Sequence, residues 1–342
     1  MEFTKEKTNI AKGIAVCLMF AHHLYAFDDR MLNDNNYIPL IPFFNAEYYI
    51  GVFGNICVSM FLFLSGYGMF LGYIRSQHSP IRYSLGKLKD FYLTYWLYFL
   101  IFIPIGIKFF QEITIWQSDE TRYSPEARLF VQNFLGWDST YNEEWWFIRM
   151  FLIIVITLCP VYIKLAEKNI SGIIIISLFL FLVSSKVDYY GQLGFLFWQI
   201  SFALGVLSAK IKLFSSFLIK YLDKLSNFWV FFSLLACFMI RFRLGGEIDF
   251  LIVSFFIYFT IRATTILKLS QVFAYLGKYS FPLWLVHSFF CYYYFQDIVY
   301  FPQWSPFVFI VLTTMSLLAV LVIEYLRSMF LNFKHLMINS VQ

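Results

Sequence analysis

An all-α, polytopic transmembrane bundle is the fold class this sequence predicts, and three observations predict it. Of 342 residues, 60% are hydrophobic and only 14% are charged, against roughly 25% charged in soluble domains. Aromatic residues reach 23%, more than one soluble core of this size uses, and membrane proteins place Trp and Tyr at the bilayer interfaces. Third, the apolar residues gather into stretches near the length of about 20 that spans a bilayer. Length alone would allow one or two soluble domains, but a chain this poor in charge cannot cover a water-facing surface.

About ten spans are expected, at residues 9–27, 50–74, 90–110, 145–164, 170–186, 190–209, 226–241, 249–267, 272–296 and 305–326. The seventh is the shortest. Pro104 and Pro282 interrupt spans, which neighbouring helices tolerate inside a bundle. The first apolar run is interrupted by His22 and His23, and no small-residue cleavage site follows, so the first helix is expected to be retained rather than removed as a signal. Residues 111–144 form the one long loop and carry seven acidic residues. The expected organisation is a single integral-membrane domain over 1–342, with no separate soluble domain.

Orientation follows from the basic residues of the loops. With the N-terminus inside, seventeen Lys and Arg fall on the inner side, from Lys5 and Lys7 to Arg327 and Lys334, against eight on the outer side. The bias persists to the last segment, which predicts an N-in, C-in chain with an even number of spans. Net charge of +5 belongs to these inner loops, so no nucleic-acid partner is expected. The five cysteines all lie in apolar runs without a CxxC pair, which reads as small buried hydrophobes rather than disulfides or a zinc site. No metal-ligand spacing, P-loop or dinucleotide fingerprint is present, and no bound cofactor or metal is expected.

Ionisable side chains inside spans are costly and mark function. Lys12 and His23 are separated by about 1100° of helix, within about 20° of full turns, and by about 16 Å along the axis. They therefore share one face of the first helix, with His22 about 80° away from Lys12. His23 then reads either as a general base near neutral pH or as an interfacial His reaching water. In the second span, Ser65-Gly66 reads as a close-packing site between helices or as a nucleophile outside any G-x-S-x-G context. The inner segment with Arg75, Arg82, Lys87 and Lys89 either enforces topology or holds phosphates of a cytosolic donor. In Glu143-Glu144-Trp145-Trp146-Phe147-Ile148-Arg149, the Trp pair suits an aromatic belt, while Glu144 and Arg149 could pair or bind a polar acceptor. His287, within the ninth span, needs a polar partner.

Together these motifs resemble the membrane-bound acyltransferase 3 family, which includes bacterial surface-polysaccharide O-acetyltransferases. Lys12-Gly-Ile-Ala followed by His23 is similar to the family's basic-residue-to-His pattern. Phe61-Leu-Phe-Leu-Ser-Gly-Tyr67 is similar to its F-F-x-L-S-G-F/Y segment, and Leu276-Gly-Lys-Tyr-Ser-Phe-Pro-Leu-Trp-Leu-Val-His287 to its late G-x-x-S-F-x-x-Y-L-x-H segment. Trp146-Phe147 looks like its mid-chain W-F. Two departures stand out: Asp90 where a second Arg of an R-x-x-R pair often falls, and Lys12 in place of the commoner Arg, which keeps the charge but loses the bidentate fork.

The resemblance implies acetyl-CoA as a cytosolic co-substrate and a hydroxyl of a cell-envelope or capsular glycan, free or lipid-linked, as acceptor. It implies a multi-pass protein of the bacterial plasma membrane, in contact with membrane lipid and with glycan-assembly proteins. It implies His23 as catalytic base or acyl relay and Lys12 as a donor ligand, joined by Arg75, Arg82, Lys87 and Lys89. His22, Glu144, Arg149, His287 and Ser65 are candidates for binding the acceptor or orienting His23. The competing reading is a transporter or flippase of a lipid-linked glycan or polar metabolite, which should show inverted-repeat symmetry that this sequence does not display.

Overall fold

Helix α1 (Lys5–Tyr25) starts where Thr4 caps it, its hydroxyl accepting from the Lys7 amide at 3.3 Å. It is ringed by six other helices. These are α2 (Ala46–Gly54), α3 (Ile56–Ile74), α12 (Asp249–Ile266), α13 (Ser270–Lys278), α14 (Ser280–Ser288) and α16 (Ser305–Asn339). The remaining elements are α4 (Pro80–Phe109), α5 (Ala127–Phe134), α6 (Trp146–Ile153), α7 (Cys159–Lys168), α8 (Ile170–Val183), α9 (Phe195–Lys210), α10 (Phe217–Leu222), α11 (Asn227–Leu244) and α15 (Gln296–Tyr300). The computed structural model describes residues 3–32, 35–41 and 43–339, with side chains up to 332. The side chain of Lys334 lies outside the described residues. Among them there is no strand, only isolated bridges between Ile38 and Trp304 and between Thr114 and Thr121.

Among the described residues, six helical stretches are long and apolar enough to cross a membrane: Ala46–Ile74, Pro80–Phe109, Glu143–Lys168, Asn227–Leu244, Gly246–Ile266 and Ser305–Asn332. Ile170–Lys186 and Phe195–Lys210 are apolar but shorter. Six is fewer than the ten expected. The shortest expected span, 226–241, is among the six. Helix α1 is long enough but is diluted by Lys5, Glu6, Lys7, Lys12 and the His pair. It has no need of a lipid-compatible surface, because other helices surround it. The expected ninth span breaks at Tyr279 between α13 and α14, and then passes into a π-helical turn, Phe289–Tyr293. Around the perimeter, exposed apolar side chains such as Ile175, Leu182, Phe228 and Phe242 clothe α8 and α11, as a lipid-facing surface requires.

Two glycine pairs let the central helices touch. A Cβ on Gly13 would strike the Phe273 carbonyl, and one on Gly277 would strike that of Asn9, so α1 and α13 meet backbone to backbone. Gly66 and Gly205 do the same for α3 and α9, facing the carbonyls of Phe202 and Phe63. Small residues at crossings allow this approach in membranes, and Ser65-Gly66 is such a crossing. The five cysteines are free, four of them buried.

Candidate active site

Three segments distant in sequence meet at the C-terminal end of α1. The first is the last turn of α1 with the loop that follows, carrying His22, His23 and Arg30. The second is the short helical turn Glu143–Trp145. Its N-cap Asn142 accepts from the Glu144 amide at 3.1 Å and donates to Ser288 Oγ at 2.7 Å. The third is the π-helical turn Phe289–Tyr293. Such turns widen a helix by one residue and recur at functional sites. Here the turn delivers Tyr292 to His23 and Tyr293 to the Glu143 amide, which donates to its hydroxyl at 3.1 Å.

His23 is buried, and the surrounding hydrogen bonds assign its protons. Tyr292 Oη donates its single proton to the His23 carbonyl at 2.7 Å. Its contact with His23 Nδ1, at 3.2 Å, must then have the ring N–H as donor. Nε2 is left with a lone pair, 3.5 Å from Glu144 Oε2. The other Glu144 oxygen accepts from Arg30 Nη1 at 2.6 Å. Arg30 is held in turn over the rings of Phe27 and Tyr292, at 4.6 and 5.3 Å. Burial opposes the charge of Arg30, but the Glu144 carboxylate beside it raises its pKa above the ordinary guanidinium value. In that tautomer the imidazole is neutral, and its Nε2 lone pair lies beside a carboxylate that Arg30 already pairs. A general base needs such a nitrogen, and the carboxylate stabilises the imidazolium it becomes.

His22 and His287 are engaged differently. His22 Nδ1 donates to the Gly51 carbonyl at 2.8 Å, and its Nε2 accepts from Asn55 Nδ2 at 3.3 Å. Both ring nitrogens are therefore occupied. His287 Nδ1 donates to the Trp284 carbonyl at 2.7 Å, while Nε2 is buried without a partner among the described residues. Its ring centre lies 4.8 Å from that of His23, so His287 backs the His23 ring and does not line the cavity in front of it.

That cavity, about 560 Å³, is lined by Lys12, Ser65, Ser280, His23, Glu144 and Arg30 among others. It thus follows one face of α1 from Lys12 to His23 and continues to Arg30. Trp146 also lines it, whereas Trp145 is buried and donates its indole N–H to the Leu285 carbonyl at 3.2 Å. Both Trp side chains are therefore turned toward the protein, one buried and one lining the cavity. Arg149 does not join Glu144. It donates to the Trp137 carbonyl at 3.1 Å. Arg75, Arg82, Lys87 and Lys89 are exposed and none lines the cavity. Lys87 instead lies 5.3 Å above the Tyr83 ring.

Arg30, Tyr292, Asn142 and Asn55 were not singled out in the sequence. Arg30 carried one usable signal, a cation seven residues after the His23 of a membrane helix; Tyr292 is hidden in the aromatic run 289–295. Among the described residues no group of three or more His, Cys, Asp or Glu has the geometry of a metal centre. A family model described as an acyltransferase domain matches residues 7–325. No curated protein and no solved structure matches the chain.

Proposed function

The chain belongs to the acyltransferase 3 family, and from that premise we propose that this membrane acyltransferase moves an acetyl group from acetyl-CoA to a hydroxyl of a cell-envelope or capsular glycan. The observation that carries the reading is the single cavity that holds Lys12 at one end and the His23–Glu144–Arg30 cluster at the other. In this reading the chain is N-in and C-in in a bacterial plasma membrane, so Lys12 faces the cytosolic donor and Arg30 the acceptor side. The separation of about 16 Å along α1 is one that the extended pantetheine arm of coenzyme A can bridge. Lys12 and the exposed Lys87 and Lys89 would meet the donor's phosphates as point charges, and Arg75 and Arg82 through their guanidinium forks.

The step is a direct transfer. The acceptor hydroxyl gives its proton to His23 Nε2 as its oxygen attacks the thioester carbonyl. The carbon–sulfur bond breaks, the coenzyme A thiolate leaves and takes the proton from the imidazolium, and an oxygen ester remains. Tyr292 holds Nδ1–H so that Nε2 faces the cavity. Glu144 stabilises the imidazolium, and Arg30 holds Glu144 in place. His287 supports the far side of the ring.

The test is transfer of labelled acetyl from acetyl-CoA in membranes containing wild type or His23→Ala. Loss of about 10²- to 10⁴-fold is the expected weight of a general base. Undiminished acetylation in the variant sinks the role of His23. Glycan export lost while acetylation is untouched would favour a transporter instead.

A further inference from the structure

A second cavity, about 660 Å³, lies beside the first at its Arg30 end, between α2, the segment leading into α9, and the junction of α11 with α12. The two cavities share His22, Phe27, Asn55 and Tyr190. The His22 ring lies 5.1 Å from that of His23. A molecule seated in the second cavity is therefore one side chain away from the base.

Its lining combines fixed aromatic rings with uncommitted polar atoms. Tyr189 stacks on Phe197, with centroids 4.1 Å apart and planes at 25°. Tyr190 packs edge-on against Trp146 at 4.9 Å, and Trp198 is pinned by its N–H to the Tyr189 carbonyl at 2.9 Å. Among the polar groups, Asn55 donates its amide hydrogens to His22 Nε2 and to Tyr190 Oη, both at 3.3 Å. That leaves the Asn55 oxygen as an acceptor and the Tyr190 hydroxyl proton as a donor. Glu247 accepts from Tyr189 Oη at 3.0 Å through one oxygen, and its other oxygen has no hydrogen bond among the described residues.

We propose that this aromatic side cavity seats a pyranose ring of the acceptor, delivering one of its hydroxyls past Asn55 and His22 to His23. The assignment rests on the acyltransferase reading above and adds where, and by what chemistry, the acceptor is held. A pyranose presents an apolar C–H face and a rim of hydroxyls that both donate and accept. Rigid rings match the face, and a carboxylate, an amide oxygen and a phenol match the rim, each polar group fixing orientation as in other small-molecule sites. A lipid tail would use the rings but offer those polar atoms no hydrogen bond.

The experiment uses the full-length protein in nanodiscs of phosphatidylethanolamine and phosphatidylglycerol. The donor is labelled acetyl-CoA. The acceptor probe is envelope glycan of the source cells, stripped of its esters with mild alkali. Tyr189→Leu and Glu247→Gln line only the second cavity. Each should raise the KM for glycan about three- to tenfold, the weight of one net hydrogen bond, with the KM for acetyl-CoA and the glycan-free release of coenzyme A unchanged. An unaltered glycan KM in both variants overturns the site, and is also the result expected if a lipid tail occupies it, because Leu keeps the apolar wall. Saturation-transfer NMR of the same glycan separates this from the parent reading. Ring-proton signals present with wild type and absent with the double variant support the site even if no ester forms. Their absence with wild type overturns it, whereas absent ester with intact binding overturns only the transferase chemistry.

Discussion

His23 Nε2 faces Glu144 Oε2 at 3.5 Å, so the last turn of the first helix is coupled to a carboxylate that arrives from the far side of the long loop. Glu144 is buried and its other oxygen is bound to Arg30. We predict that Glu144→Gln lowers the single-turnover rate of acetyl transfer about ten- to hundredfold, the weight of one charge-assisted interaction, with little change in the KM for acetyl-CoA. A variant that turns over at the wild-type rate would remove Glu144 from the mechanism.

Tyr292 makes a narrower prediction. Its hydroxyl is the acceptor that holds the Nδ1 proton of His23, and it caps the His23 carbonyl as well. Tyr292→Phe should slow transfer about three- to tenfold, the net value of one such bond, because the imidazole is freed to populate the other tautomer. Nitrogen NMR of labelled histidine provides the check: wild type should show a single Nδ1–H form for His23, and the variant a mixture. A variant with the wild-type tautomer and a lowered melting temperature would mean that Tyr292 only braces the fold.

At the other end of the cavity, Lys12 has no ion-pair partner among the described residues. Lys12→Met is predicted to raise the KM for acetyl-CoA about tenfold, as expected for one lost charge-assisted contact, while leaving kcat nearly intact. Lys12→Arg should restore the affinity. If methionine leaves the KM unmoved, the donor is not held there.

What the sequence revealed and what it concealed divide along the line between local and distant structure. Helical periodicity is set by neighbouring residues, so Lys12 and His23 could be placed on one face, and both line one cavity. Ser65-Gly66 likewise announced a close crossing. The partners of His23 come instead from pairings across the whole chain. Arg30 read as one more loop charge, and Tyr292 is one aromatic among many until a π-helical turn points it inward. Glu144 and Arg149, near each other in sequence, take different partners because the helical turn at 143–145 aims Glu144 at Arg30. Hydropathy marks where apolar residues gather but not what surrounds them: α1, which carries Lys12 and the His pair, is enclosed by other helices.

The pair Arg241–Asp249 yields a prediction about stability. The Arg241 guanidinium donates through Nε to Asp249 Oδ1 at 2.6 Å and through Nη2 to Oδ2 at 3.1 Å, and Nη1 reaches the Val52 carbonyl at 2.8 Å. Both side chains are buried, so the pair ties α11 and α12 to α2, beside the Gly51 carbonyl that holds His22. Removing one member strands a charge away from water, which costs about 3–5 kcal/mol, whereas replacing both with apolar groups can be neutral. Arg241→Met should therefore lower the thermal midpoint of the purified protein markedly. Arg241→Met combined with Asp249→Leu should recover most of the loss, apart from the bond to Val52. Equal destabilisation by the single and double variants would show that the bond to Val52, rather than charge balance, is what fixes α11 in place.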